Sequence, residues 1–246
     1  MDKTQMKRLR ELVVKLGRAF NEKPDTIEPL KALVRLREKQ LIDKIVADDA
    51  ILLPDADDIK IHGLQRARPG LVCEFGVFRG KSVTLLAKHA ETVHGFDSFE
   101  GFPDEDLLGT AFDNEAPLNL HGVMPEVPGN VILHKGWYNE SLPKFFAENS
   151  EQVGYLGIDC DLYSSTSTVL NLIADRINPG TVIYFDEFFN FPRWQFQEWR
   201  AWHEFVRDHN VQYTYLAFGT NRSHSRSDPY SWGSWGKVCL RVDSIG

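Results

Sequence analysis

Carboxylates gather at three points of this chain: Glu74 and Asp97 around a glycine turn, Asp159 and Asp161 in GIDCDLY, and Asp186 and Glu187 in YFDEF. The first point reads as strand, glycine turn, helix, strand and acid. Leu71–Phe75 is a short apolar run, Gly76 and Gly80 bracket a turn, and Asp97 closes the second apolar run. Such a turn lets a ligand approach the backbone, and an acid about 20 residues on accepts ribose hydroxyls. The turn is Glu74-x-Gly76-x-x-x-Gly80 and not G-x-G-x-x-G. A carboxylate thus stands where a pyrophosphate site places its first glycine, and it repels an anion. A cationic ligand such as S-adenosylmethionine, with its sulfonium and amino group, is tolerated. That favours a methyl donor over NAD. An NAD-dependent enzyme is the first rival reading, and a non-enzymatic donor-binding protein is the second.

The other two acidic groups sit where adjacent parallel strands are expected to end, so their side chains converge on one crevice. Asp159, Asp186 and Glu187 offer three oxygen donors, and Asp161 a fourth or a helix cap. Crowded carboxylates repel one another unless protonated or bridged by a cation. Oxygen-only donors suit Mg²⁺ or another hard divalent ion.

The elements that must position these groups alternate. Strands are expected at 71–75, 92–96, 130–134, 153–158, 181–185, 211–218 and 236–243, with helices at 80–90, 140–149, 165–177 and 193–209. Alternation implies parallel βαβ units. The last two strands have only a loop between them, so they form an antiparallel hairpin. The fold class is therefore α/β: a Rossmann-like, mostly parallel sheet with an antiparallel terminal hairpin. Residues 1–65 lack strand signals and read as a helical extension, a cap or an oligomerisation element, ahead of the domain at 66–246. Residues 98–129 are acidic, carry four prolines and leave the carboxyl end of the second strand. Ligands bind at that edge of open α/β sheets, and so long a loop is usually functional; it reads as a lid. The aromatic and basic loop 221–235 is a second candidate wall for an acceptor pocket.

GFDSFEGFP, KGWYNESLP, GIDCDLYSSTSTVLNLI and NPGTVIYFDEF follow in this order. Over residues 68–190 the chain resembles the TylF/MycF group of macrolide sugar O-methyltransferases. The resemblance implies a class I S-adenosylmethionine-dependent fold and a Mg²⁺ site that holds a sugar diol. On it, Asp159, Asp186 and Glu187 match metal ligands, although the family has Asp-Asp where this chain has Asp186-Glu187. Glu74, Gly76, Gly80, Ser82, Asp97, Ser98 and Phe99 match the donor-binding segment, Gly136-Trp137 the segment beside the adenine, and Asp159 belongs to both sets. In enzymes that look like this a histidine of the mobile loop is one candidate base, and His121 is the histidine in this lid. The related catechol methyltransferases carry a lysine three residues after the first aspartate; here that position is Leu162, which leaves His121 or Asp161 to take the proton. The acceptor implied is a hydroxyl of a sugar or small polyol.

Composition bounds the rest. The chain has 246 residues, 42% hydrophobic and 26% charged, which is enough for one sizeable core. A net charge of -7 provides no electrostatic footprint for nucleic acid. No apolar run of about 18 residues exists, so no membrane helix is expected. The basic, amphipathic N-terminus lacks the apolar core of a secretory signal. Cys73, Cys160 and Cys239 form no C-x-x-C pair and read as reduced, buried thiols of a cytoplasmic protein.

Overall fold

The computed structural model describes residues 27–103, 118–191, 193–220 and 235–246. The N-terminal stretch 1–26, the middle of the expected lid (104–117) and the loop 221–234 lie outside the described residues. The chain divides into two units, Met1–Val46 and Ala47–Gly246. The first contains most of helix α1, Ile27–Ala47. Everything below concerns the second unit.

Among the described residues eight strands form one sheet: β1 (Ile51–Leu53), β2 (Leu71–Phe75), β3 (Val93–Asp97), β4 (Val131–Lys135), β5 (Val153–Ile158), β6 (Val182–Phe189), β7 (Gln212–Thr220) and β8 (Gly236–Ser244). Their order is β1-β7-β8-β6-β5-β2-β3-β4. β6, β5, β2, β3 and β4 run parallel, and β8 is antiparallel between β6 and β7. This is the expected parallel sheet with an antiparallel terminal hairpin. The helices are α2 (Ala56–Leu64), α3 (Lys81–Leu86), α4 (Tyr138–Glu148), α5 (Tyr163–Leu172) and α6 (Glu198–Asp208).

The chain builds β2, β3 and β4 outward to one side, then returns to place β5 on the other side of β2. The order reverses between β2 and β5, where such sheets bind ligands. Gly76 ends β2 at that point. Its φ is 92°, and a Cβ there would meet the Asp159 carbonyl oxygen at 1.7 Å. No other residue lets the two strand ends come this close.

Residues 47–65 differ from the sequence expectation. Ile51–Leu53 is a strand, paired parallel with Ala217–Gly219, and α2 lies on the sheet with Ile59 fully buried. A three-residue strand has no periodicity to detect, and α2 alone reads like a helix of any extension. Gly63 brings α2 close: a Cβ there would press on Val182, Cys239 and Tyr155 at 3.2–3.4 Å. One turn earlier on the same face stands Lys60, 4% exposed.

The described part of the second unit packs a core of alternate strand residues. Phe75 and Phe96 stack at 5.1 Å, an aromatic contact of about 0.5–1.5 kcal/mol beyond its buried area. Helix α5 has no side-chain cap of its own; Leu162 precedes it, and the Tyr163 N–H donates to Gln197 Oε1 at 3.0 Å instead. Asp161 is therefore not the helix cap.

Candidate functional site

A cavity of about 320 Å³ opens at the carboxyl ends of β2, β3, β5 and β6. Of the residues expected from sequence, Gly76, Ser82, Asp97, Ser98, Gly136, Trp137, Asp159, Asp186 and Glu187 line it, and so does Asp161. Glu74, Gly80, Phe99 and His121 do not.

Asp97 organises the donor turn. Its Oδ2 accepts the N–H groups of Val77 and Phe78, both at 2.8 Å, and its Oδ1 accepts the Phe99 N–H at 2.7 Å. Phe78 and Phe99 both have positive φ, 48° and 58°, a costly conformation for a bulky side chain, of order 1–3 kcal/mol each. Charge-assisted bonds to one carboxylate hold both. A carboxylate has about four acceptor positions, so Asp97 keeps room for one more donor on the cavity side. Gly80 supplies the left-handed residue (φ 79°) from which α3 starts. Phe99 is core, 1% exposed.

Glu74 has a different role from the one expected. Its side chain is fully buried, on the opposite face of β2 from Cys73 and Phe75, and Oε1 accepts from Lys60 Nζ at 3.3 Å. A Cβ on Gly157 would meet Glu74 Oε2 at 2.4 Å; the glycine of GIDCD makes room for this carboxylate. Glu74 is the anion of an internal ion pair, and it does not face the cavity.

The carboxylates converge as the strand ends suggested, with one exchange. Asp159, Asp161 and Glu187 bring ligand oxygens within 4.8 Å of one another. Asp186 instead turns to Lys237, whose Nζ donates to Asp186 Oδ2 at 2.6 Å and to its carbonyl at 2.9 Å, and it also accepts from the Tyr184 hydroxyl. From Phe185 to Phe189 β6 advances four residues while β8 retreats two, from Val238 to Gly236. This bulge breaks the in-out alternation and aims Asp186 and Glu187 separately. Asp161 reaches the group from a left-handed backbone, φ 62°, which aspartate tolerates better than most residues.

Buried charge is out of balance. Among the described residues, the buried Glu74, Asp161, Glu187 and Glu198 and the half-buried Asp159 and Asp186 gather around two buried lysines, Lys60 and Lys237. Burial, then Asp186, pushes the Asp159 carboxyl up to about 7. Burial, then the neighbouring carboxylates, holds Asp161, Glu187 and Glu198 well above the usual range. Burial also raises Asp186, but Lys237 and Lys60 outweigh it and hold that carboxyl well below the range. Glu187 Oε2 and Glu198 Oε1 are buried with no hydrogen-bond partner among the described residues. Protons or a cation must supply the missing positive charge. Three oxygens at 2.0–2.6 Å from one hard ion lie at most about 4–5 Å apart, so the cluster fits a divalent cation.

Lys60, Lys237 and Glu198 escaped the sequence reading. Lys60 is a charge on the inner face of an apolar helix stripe, and Lys237 opens an apolar strand; neither belongs to a motif. His121 sits on an exposed turn with φ 53°, its N–H bound to Asn119 Oδ1. The structure leaves it outside the cavity wall. The three cysteines are buried and free; burial raises the thiols of Cys73 and Cys160 and pushes Cys239 up to about 12. Cys160 is on the cavity wall, its Sγ 3.4 Å from Thr166 Oγ1. No helix among the described residues is long and apolar enough to cross a membrane.

This geometry has relatives. Residues 73–188 match a family model described as a methyltransferase domain. The 8-demethyl-8-(2,3-dimethoxy-alpha-L-rhamnosyl)-tetracenomycin-C 4'-O-methyltransferase of Streptomyces olivaceus is 28% identical over 142 residues, 49% of this chain and 53% of that protein. The chain thus spans about half the length of this curated relative. The structure of the O-methyltransferase NovP aligns with TM-score 0.52 and 19% identity, over 76% of this chain and 79% of that one. The calicheamicin methyltransferase CalS11 aligns over 94% and 91% with TM-score 0.49 and 22% identity. The likeness to NovP is one of fold. The match over residues 73–188 and the order reversal between β2 and β5 agree on one point, the class I methyltransferase topology of the sheet.

Proposed function

We propose that the protein transfers the methyl group of S-adenosylmethionine to a hydroxyl of a sugar-bearing small molecule, with a divalent cation held by Asp159, Asp161 and Glu187. The observation that carries this reading is the carboxylate cluster on the wall of the cavity that begins at the Gly76 turn. Support for the donor comes from that turn, the methyltransferase-domain match and the Asp97 clamp. Support for the acceptor comes from the rhamnosyl 4'-O-methyltransferase relative and from the resemblance to the TylF/MycF group.

The chain's own residues divide the work. Asp97 fixes the turn and keeps an acceptor position for a ribose hydroxyl. Trp137 and Gly136 border the nucleoside side. Asp159 lies at the junction of donor and acceptor. Its Oδ2 is held by Lys60, and its charge faces the region where the sulfonium must sit. A bound divalent ion would acidify and orient the acceptor hydroxyl. Asp161 has two oxygens, enough to serve the cluster with one and to accept the hydroxyl proton with the other. His121 is the other candidate base, on its exposed turn. Holding hydroxyl and methyl in line provides much of the rate.

The test is transfer of labelled methyl to a panel of rhamnosides and other glycosides. Transfer that stops in excess chelator and returns with Mg²⁺ is expected. Full transfer in excess chelator overturns the metal part. Donor-product binding without transfer to any glycoside overturns the acceptor class.

A further inference from the structure

Lys60 is buried, and its ammonium is fully used. It donates to Ser82 Oγ at 2.6 Å, Asp159 Oδ2 at 3.1 Å and Glu74 Oε1 at 3.3 Å. An ammonium has three donors, and the three partners stand on three elements: β2, the first turn of α3, and the end of β5. The ring of Tyr184 lies 4.8 Å from the same nitrogen. Two of the partners, Ser82 and Asp159, line the cavity from its two sides. Ser82 belongs to the donor turn; Asp159 belongs to the carboxylate cluster.

We infer that Lys60 is a positioning residue that couples the two halves of the site, so that a divalent cation and the donor, each in its own half, bind cooperatively through it. The inference rests on the donor-and-metal reading above. Lys60 bonds one oxygen of Asp159, Oδ2, while the same carboxylate belongs to the cluster. A cation that fixes Asp159 thereby fixes the ammonium and, through it, Ser82 beside the Gly76 turn. The donor then meets a turn whose ordering is already complete, which is a source of positive cooperativity. Linkage requires the effect to be reciprocal. Nothing in the Gly76–Gly80 motif itself reveals this, because Lys60 enters from a helix that precedes the motif.

The experiment is calorimetric titration of S-adenosylhomocysteine with and without saturating Mn²⁺, and of Mn²⁺ with and without S-adenosylhomocysteine. The proteins are the unmodified chain, Ser82→Ala, and the double variant Lys60→Met with Glu74→Gln. The double change removes both charges of the buried pair, so neither is left uncompensated. In the unmodified chain each ligand should tighten the other by about 5–150-fold, the usual span of such coupling. Whatever each variant's affinity for either ligand alone, the mutual effect should fall to about twofold or less. Should the double variant not fold, Ser82→Ala decides alone. Mutual tightening that survives in the variants overturns the inference. So does an unmodified chain that binds both ligands independently. An unmodified chain that binds neither ligand overturns the donor-and-metal reading itself.

Discussion

Lys237 on β8 donates to Asp186 on β6 at 2.6 Å, with Lys237 only 1% exposed. This pair withdraws Asp186 from the carboxylate group and leaves Asp159, Asp161 and Glu187 to face one another. Removing one partner of a buried pair strands the other charge, at a cost of about 3–5 kcal/mol. Lys237→Met should lose that much in urea unfolding, and Lys237→Met with Asp186→Leu should regain most of it. An unchanged midpoint in the single variant would show that the pair supports nothing.

The ligand set can be ordered. Asp161→Asn and Glu187→Gln should each weaken Mn²⁺ binding by more than Asp186→Asn does, by at least about the 10–100-fold that even outer partners of a metal site provide. Direct Mn²⁺ titration followed by electron paramagnetic resonance reads this without turnover. The reverse order, with Asp186→Asn the most damaging, would restore the Asp159, Asp186, Glu187 set expected from sequence.

The Asp159 carboxyl stands at about 7 in the fold against an ordinary 3.8. An acid raised in this way binds more protons folded than unfolded. Its stabilising contribution is full below its ordinary value and is lost as pH rises through about 7. In metal-free protein, Asp159→Asn should therefore gain stability relative to the unmodified chain between about pH 4 and pH 8. Thermal unfolding across that range checks the sign; a difference that shrinks with rising pH contradicts it.

His134 behaves oppositely. It lies 3.1 Å from His94 across β3 and β4, against Phe96 and Phe145. Burial, then His94, lowers it to about 4. A base depressed in this way contributes stability above its ordinary value near 6.5, and that stability is lost as pH falls toward 4. His134→Phe should flatten the acid limb of the stability curve. An identical acid limb in the variant rules the pair out as its cause.

Asp97 clamps two strained residues. Asp97→Ala should weaken S-adenosylhomocysteine binding by about 1–3 kcal/mol, the scale of unmade charged hydrogen bonds. Amide exchange at Val77, Phe78 and Phe99 should speed up in the same variant. Faster exchange with unchanged affinity would limit Asp97 to the turn.

His121 stands off the cavity wall, so His121→Ala should keep turnover within about tenfold, against the loss of about 10²–10⁴ expected on removing a general base. A loss of the larger size would return the proton to His121.

The sequence by itself determined every strand of the sheet but the three-residue β1. Apolar runs ending in Gly76, Asp97, Asp159 and Asp186 are local signals, because strand period and turn chemistry are written in neighbouring residues. From them followed the parallel core, the antiparallel hairpin and the expectation that Asp159, Asp186 and Glu187 meet in one crevice. The tertiary structure alone decided the charges. Glu74 faces Lys60 because Gly63 lets α2 settle on the sheet and Gly157 leaves space beneath it. Asp186 faces Lys237 because β6 bulges against β8. Asp161 joins the cluster because a left-handed backbone turns it there. Each of these depends on which distant residue shares a low-dielectric interior. Coulomb energy depends on separation in space, and separation along the chain does not report it.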